Sequence, residues 1–375
     1  MIVPETPRLL ASLEGIDACE WDALAGGNPT LSYAFLDSLH RSGSASTRTG
    51  WHPQFASLWD GKRLAAAAPL YVKSHSYGEY VFDWGWADAY ERHGIAYYPK
   101  LVCAVPFTPA TGPRLLATGP GPRERLARWM LELARETEVS SLHILFPAPE
   151  DATALRAMGM LERSGVQFHW RNAGYRDFDD FLGALSHDKR KKIRQERKRV
   201  ATAGVTIERL TGREAASADW DFFFDCYRRT YRAHRSAPYL TRAFFGLIAE
   251  RMPENVLLVM ARREGRPIAA AMDLFGAGAL YGRYWGSVEH VPGLHFEACY
   301  YQAIEFCIER GIALFEGGAQ GEHKHARGFL PEPTRSFHWL AHPAFNRAID
   351  EFLSQEGVHI AAYVDELNER TPFRK

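Results

Sequence analysis

Short apolar runs bounded by turn residues alternate along this chain with longer stretches whose apolar positions recur at helical spacing. That mixture predicts strands interleaved with helices. Residues 17–45 read as two short helices interrupted at Asn28-Pro29-Thr30, with Ser32 capping the second. Residues 55–71 predict a strand, an Asp-Gly turn and a second strand, the turn chemistry of an antiparallel hairpin. Residues 77–86 continue as an aromatic strand, a loop leads into a helix over 123–136, and SSLHILFP and residues 167–175 are strands. Asp177 caps a long helix that runs to Thr202. Beyond it, residues 219–233 and 241–251 are amphipathic helices, 255–263 and 267–275 form a hairpin, and 280–288 add a third strand. A helix over 294–310 closes on Gly311, and residues 312–316 are a strand. The fold class is α+β.

The pattern repeats. GKRLAAAAPLYVKSHSYGEY, from Gly61 to Tyr80, lies without a gap over GRPIAAAMDLFGAGALYGRY, from Gly265 to Tyr284. The glycines, three alanines, Leu70/Leu274 and a Tyr-Gly-x-Tyr coincide, and each copy is preceded by an apolar run and followed by a helix and a short strand. Two copies of one α/β unit are the expectation, divided as residues 1–174 and 175–375, with the long helix from Asp177 to Thr202 beside the boundary.

Composition narrows this little. Of 375 residues, 46% are hydrophobic and 24% charged, which suits a globular protein with sizeable cores. Lys and Arg balance Asp and Glu, so any affinity for polyanions must be local. The five cysteines form no CxxC and no metal-ligand spacing, and an odd number fits reduced, mostly buried thiols. There is neither a leader-like start nor a long apolar stretch. The expectation is a cytoplasmic protein without a membrane span.

Three segments could carry chemistry. HDKRKKIRQERKR, from His187 to Arg199, follows an apolar stripe through Phe181, Leu185, Ile193 and Val200, so its charges form the polar side of an amphipathic helix. Lys189, Arg190, Lys192 and Arg194 are the candidate phosphate grip, offset only by Asp188 and Glu196; a plain solvated face is the other reading. FEGGAQGEHKHARGFLPEPT is a glycine-rich loop after a strand and holds Glu316, Gln320, Glu322, His323, Lys324, His325 and Arg327. There Lys324 or Arg327 could face a developing oxyanion, and Glu316 or His323 could accept a proton. Glu322, His323 and His325 match no zinc motif, and no metal is expected. The aromatic block from Ser76 to Lys100 suits a pocket wall as well as a packed core, with Asp83, Trp84, Trp86, Asp88, Tyr98 and Lys100 as candidate contacts. Its counterpart in the second copy offers Arg283, Tyr284, His295 and Glu297. No nucleophile elbow, Walker loop or dinucleotide fingerprint is present.

The order of helices, antiparallel meander, helix and strand resembles a GNAT-superfamily acyltransferase domain. NPTLSYAFLDSLHRSGSAS, KSHSYGEYVFDWGWADAYERHGIAYYPKL, PFTPATGPRLL, HDKRKKIRQERK, GRYWG, LHFEACYYQAIEFCIERG and FEGGAQGEHKHARGFLP together resemble the FemAB-like predicted N-acyltransferases, or peptidoglycan biosynthesis/recognition proteins, from about Asn28 to Phe352. More distantly the chain is similar to the Fem transferases, which add amino acids from aminoacyl-tRNA to a cell-wall precursor peptide. The resemblance implies two tandem GNAT-like domains, each with a mostly antiparallel sheet flanked by helices. It maps the family's basic helix onto Lys189 to Arg199 and its closing motif onto Glu316-Gly317-Gly318 and His323-Lys324, placing Lys324 by the reacting centre. His323 stands where those enzymes carry an aromatic residue. The Gln/Arg-x-x-Gly-x-Gly/Ala pyrophosphate pattern of GNAT proteins and the coiled-coil insertion of Fem enzymes are both absent from the sequence.

These observations lead to an N-acyltransferase or aminoacyltransferase with Lys324, Glu316 and His323 at its centre. No tightly bound cofactor is expected. The donor would be acyl-CoA or aminoacyl-tRNA, with tRNA then a partner, and the acceptor a small-molecule or peptide amine. A binding protein for a cell-wall or nucleotide-linked ligand is the alternative, and a metal-dependent hydrolase the third reading.

Overall fold

Both copies of the repeat begin as hairpins with a left-handed glycine in the turn, Gly61 at φ 60 and Gly265 at φ 75. Phe55–Asp60 pairs with Arg63–Ala68, and Val256–Arg263 with Arg266–Gly276. The alanines of both second strands are buried, which lets helices approach the sheet closely. The structure, a computed structural model, describes residues 5–318 and 321–374. It comprises two units, one running through Val166 and taking in Pro333–Tyr363, the other Gln167–Glu332 with Val364–Lys375. A single cut after residue 174 does not describe this division. Residues 336–340 of the strand Leu330–Leu340 pair antiparallel with Ser141–Leu145, returning the chain to the first unit.

In the first unit Thr6–Leu10, Phe55–Asp60, Arg63–Ala68 and Leu116–Ala117 form one antiparallel sheet. At Pro69, which has no N–H to donate, the chain passes to a second sheet, where Leu70–Lys73 lies between Trp51–Pro53 and Lys100–Cys103. Lys100–Cys103 in turn runs parallel to Ser141–Leu145. The helix Pro120–Glu136 starts earlier than residue 123, with proline in its first turn, and buries Leu126, Met130 and Ala134 against Leu58 and Ala66. The expected strand over 77–86 does not form: residues 74–83 are irregular and Trp84–Arg92 is a helix. Side-chain chemistry overrides the aromatic β-pattern there. Lys73 Nζ donates to the Tyr77 carbonyl at 3.2 Å, and Glu79 and Asp83 turn inward to Lys100.

The second unit is a meander of Val205–Thr211, Val256–Arg263, Arg266–Gly276 and Ala279–Ser287, all antiparallel. Leu314–Glu316 joins parallel to its last strand, and residues 169–171 pair antiparallel with Leu314–Glu316. The helix Ser217–Ala233 lies so close that a Cβ on Gly286 would stand 2.1 Å from the Cys226 carbonyl oxygen. The helix expected from Asp177 to Thr202 is two, Phe178–Ala184 and His187–Thr202. Asp177 caps the first by accepting from the Asp180 N–H at 2.8 Å. Leu185 is extended, and the Ser186 N–H donates to the Pro372 carbonyl at 2.9 Å. The helix expected over 294–310 contains a π-helical turn, Glu297–Tyr301, between Leu294–Phe296 and Gln302–Arg310. No helix among the described residues is long and apolar enough to cross a membrane.

Candidate active site

A parting of two strands makes the site. Ala279–Ser287 and Leu314–Glu316 are hydrogen-bonded only as far as Tyr281 and Glu316. Beyond that point the first strand continues, while Gly317 and Gly318, the latter at φ 86, lead the other chain away. On the other side the register jumps from Met272 opposite Tyr284 to Asp273 opposite Gly282, leaving Arg283 as the bulged residue. The bulge breaks the alternation of faces, so Gly282, Arg283, Tyr284 and Trp285 all reach one cavity of about 260 Å³. The π turn adds Cys299 and Tyr300 to its wall, and His295 enters from the turn before. Single π turns are frequent at functional sites, because they displace side chains from the regular helical stripe.

Lys324 enters the same cavity from the short helix Glu322–Arg327, which is bracketed by left-handed Gly321 and Gly328. A Cβ on Gly317 would stand 3.1 Å from the lysine Cδ and 3.0 Å from Phe329, so glycine there makes room for the lysine stem. The lysine Nζ donates to the Gly318 carbonyl at 3.0 Å. Burial lowers its pKa to about 8, against a smaller opposing pull from Cys299. At neutral pH Lys324 is therefore a buried cation able to release a proton at modest cost. Two imidazoles share the cavity. His295 is held down to about 4 by burial first, and then by the imidazole of His323 and the cations Arg327 and Lys324. His323 is lowered by burial, Lys324 and Arg327, and its Nε2 lies 3.1 Å from Tyr300 Oη. Both rings are biased towards the neutral form that can accept a proton.

Arg327 and Glu297, expected as ligand contacts, hold the loop and the helices instead. Buried Arg327 donates to Glu196 at 2.8 Å, to Tyr301 Oη at 3.0 Å and to the His323 carbonyl at 2.7 Å, with its guanidinium 3.3 Å over the Phe296 ring. Tyr301 Oη also donates to Glu196. Glu297 accepts from Arg197 at 3.1 and 3.2 Å and from Gln302 at 2.8 Å. Glu196 is thus a buried anchor and no offset to the exposed charges. Its spacing from Ile193 and Val200 puts it on the apolar stripe, a signal already present in the sequence. Glu316 is not among the residues that line the cavity. Its neighbours Phe315 and Gly317 line the cavity, while its own carboxylate lies 4.0 Å from His169 Nε2, as strand alternation requires. Gln320 lies outside the described residues. Sequence reading overlooked Asp273, Cys299 and Tyr300; the only hint for Asp273 was a carboxylate in an otherwise apolar strand, where the first copy has Pro69.

The basic helix presents a groove of about 390 Å³ lined by His187, Arg190, Lys191, Arg194, Gln195 and Lys198. Of the four expected phosphate ligands, Arg190 and Arg194 line it. Lys189 and Lys192 sit on other parts of the helix, Lys192 exposed and Lys189 half-buried.

In the first unit the expected pocket contacts are mostly buried in one another. Lys100 Nζ, fully buried, donates to Ser76 Oγ at 2.8 Å, to Glu79 at 2.9 Å and to Asp83. Burial alone would raise Asp83, but Lys100 outweighs it and holds the carboxyl down to about 2. Glu79 is pushed by burial up to about 7, and Lys73, 3.9 Å away, is lowered by burial to about 7. Trp86 packs against His143 and His338, and Tyr98 Oη meets Ser76 Oγ at 2.8 Å. Trp84 and Asp88 are exposed.

Comparison with known proteins places this geometry. No curated protein matches the chain in sequence. Among solved structures, FemX superposes with a TM-score of 0.56 at 12% identity, covering 89% of this chain and 98% of that one. L-PGS from Bacillus licheniformis gives 0.52 at 11%, covering 92% and 97%. A conserved protein of unknown function from Bacteroides thetaiotaomicron gives 0.51 at 11%, covering 89% and 99%. The shared fold is α+β with mostly antiparallel sheets flanked by helices, as the family resemblance implied. A match to the FemAB-like family, described as peptidoglycan biosynthesis/recognition, extends over residues 12–375, and the chain belongs to that family.

Proposed function

We propose that the second unit's cavity transfers an acyl or aminoacyl group from a CoA thioester or an aminoacyl-tRNA to an amine, on a small molecule or a peptide related to cell-wall precursors. Family and fold support a transferase role. The observation that carries the finer reading is Lys324, a buried cation in the gap where two strands part. The amine nitrogen attacks the donor carbonyl and the C–N bond forms. Lys324 stabilises the resulting oxyanion, together with backbone N–H groups freed by the parting strands. Neutral His323 takes the surplus proton from nitrogen; Glu316, turned towards His169, is the weaker candidate for that role. The C–S or C–O bond to the donor then breaks, and the leaving atom is protonated. His295, Arg283 and Tyr284 line the acceptor's space. The groove at Arg190 and Arg194 holds donor phosphates, with Lys189 and Lys192 adding to the local positive field.

The test is a parallel screen of acyl-CoAs, charged tRNA and UDP-linked cell-wall precursors for thermal stabilisation and for product. Lys324→Met keeps the stem and removes the charge. It should cut turnover by about 10²- to 10³-fold while the stabilising donor still binds. Stabilisation without product from any donor–acceptor pair would favour the binding-protein reading.

A further inference from the structure

The cavity contains a carboxyl group that the reaction above leaves idle. Asp273 is 2% exposed and lines the cavity. Its Oδ2 has no hydrogen-bond partner. The bulge that frees Arg283 also seats Asp273 opposite Gly282, where its Oδ1 would lie 3.6 Å from a Cβ on that glycine. The missing side chain therefore opens the space in front of the carboxyl. Buried carboxyl oxygens are almost always partnered, so an orphan on a carboxyl that lines a cavity marks where a ligand's donor belongs.

The groups around it restrict what that donor can be. The helix packed against this strand contributes the thiols of Cys299 and Cys307 and the phenol of Tyr300, all of which burial disfavours as anions. Cys299 lines the same cavity as Lys324 and Asp273. Arg283 and Tyr284 on the neighbouring strand are engaged with each other at 2.9 Å. Among the described residues no cation forms an ion pair with Asp273. Burial drives its pKa well above the ordinary carboxylate range, which favours the neutral carboxylic acid.

We infer that Asp273 binds the acceptor as a primary ammonium group and takes a proton from it, delivering a neutral amine to the carbonyl held at Lys324. This rests on the transfer reading above and names its acceptor class. The proton balance closes. An incoming R–NH₃⁺ displaces one proton from the carboxylic acid to solvent. The remaining ammonium–carboxylate pair is equivalent, by one proton shift from N to O, to R–NH₂ beside COOH. The amine lone pair then forms the C–N bond and the surplus N–H proton passes to His323. The donor's C–S or C–O bond breaks, its sulfur or oxygen is protonated, and Asp273 is left as the acid it was at the start.

Calorimetry with butylamine tests this on the intact protein at about pH 7, in phosphate and in HEPES, buffers whose ionisation heats differ. The wild-type protein should release about one proton per butylammonium bound and should not bind N-butylacetamide, which carries no charge. Asp273→Asn, nearly isosteric, should release none and bind butylamine roughly tenfold or more weakly. Butylamine binding without proton release, equal binding of the neutral amide, no binding of butylamine, or an unchanged Asp273→Asn overturns the assignment. Glycine methyl ester is the second arm. If it releases the proton through Asp273 and butylamine does not, the carboxyl serves the donor's ammonium and the acceptor assignment falls. Binding and proton release are read without turnover, so failure here is distinct from failure to find any transfer product.

Discussion

At Lys324 a single amine is tuned by what surrounds its stem. Water is kept from it by Phe329 and the Gly317 backbone, and the charged form survives because the Gly318 carbonyl accepts from it. Two outcomes follow from that packing. If the cation is what catalyses, turnover should be sustained below a pH of about 8 and fall above it as Lys324 deprotonates; a rate–pH profile checks the sign. Gly317→Ala would press a methyl group against the lysine stem and Phe329. It should reduce turnover roughly tenfold or more with a small change in Tm, measured side by side. The sequence made Lys324 conspicuous through its neighbours in a glycine-rich loop. It could not show that Glu316 and Arg327 face elsewhere, because direction depends on strand alternation and on a partner, Glu196, that lies 131 residues away in the chain.

Among the elements, the helix His187–Thr202 does two jobs on two faces. Its inner face anchors the site through Glu196 to Arg327 and Tyr301 and through Arg197 to Glu297. Its outer face gathers Arg190, Lys191, Arg194 and Lys198 around one groove. If that groove grips phosphates, replacing both Arg190 and Arg194 by alanine should lower the slope of log affinity against log salt by roughly 1 to 2 for a nucleic-acid ligand. A plain solvated face would leave the slope unchanged. The helix Ser217–Ala233 makes a different demand. Its backbone at Cys226 touches the strand at Gly286, so Gly286→Ala must move backbone against backbone. It should cost about 1–3 kcal/mol in a denaturation experiment, while Gly278→Ala, with open space around it, is strained only by its left-handed φ of 76. Element existence was largely legible from periodicity. Two elements were misread for identifiable reasons: buried side-chain ion pairs replace the strand at residues 77–86, and an extended Leu185 with a backbone bond from Ser186 to Pro372 divides the long helix.

Across the whole chain, formal neutrality conceals a strongly uneven distribution of charge. The first unit buries Lys73, Lys100, Glu79 and Asp83 together, an arrangement expensive to desolvate and disrupted by loss of any one member. Beside it His143 and His338 face each other across paired strands, Nδ1 to Nδ1 at 2.6 Å, with Ser141 and Ser336 on their Nε2 atoms. One ring must donate and the other accept, so at least one is neutral, and burial disfavours the charged form of both. Burial holds His143 down to about 3 from an ordinary 6.5. The unfolded chain therefore binds more protons between those values, and stability is lost as pH falls below about 6.5. Glu79, raised from 4.5 to about 7, has the opposite sign and regains stability as pH falls through that window. Tm should therefore drop between pH about 6.5 and 4, and more steeply in Glu79→Gln, where the compensating group is gone; a flat profile in both would contradict the neutral pair.

The sequence by itself determined many of the helices and strands, the repeat with its two left-handed glycine turns, the basic helix and the lysine of the closing loop. Each of these is written in local spacing, in the turn chemistry of adjacent residues or in a matched segment. Tertiary structure alone decided which face each charge occupies. It left Glu316 and Arg327 out of the cavity wall that Lys324 joins, buried Asp83 and Lys100 in each other, and set Asp273 in that wall. The physical reason is that the cost of a buried charge depends on what lies opposite it. A register bulge and partners more than a hundred residues away supply or withhold that partner, and no local pattern records them.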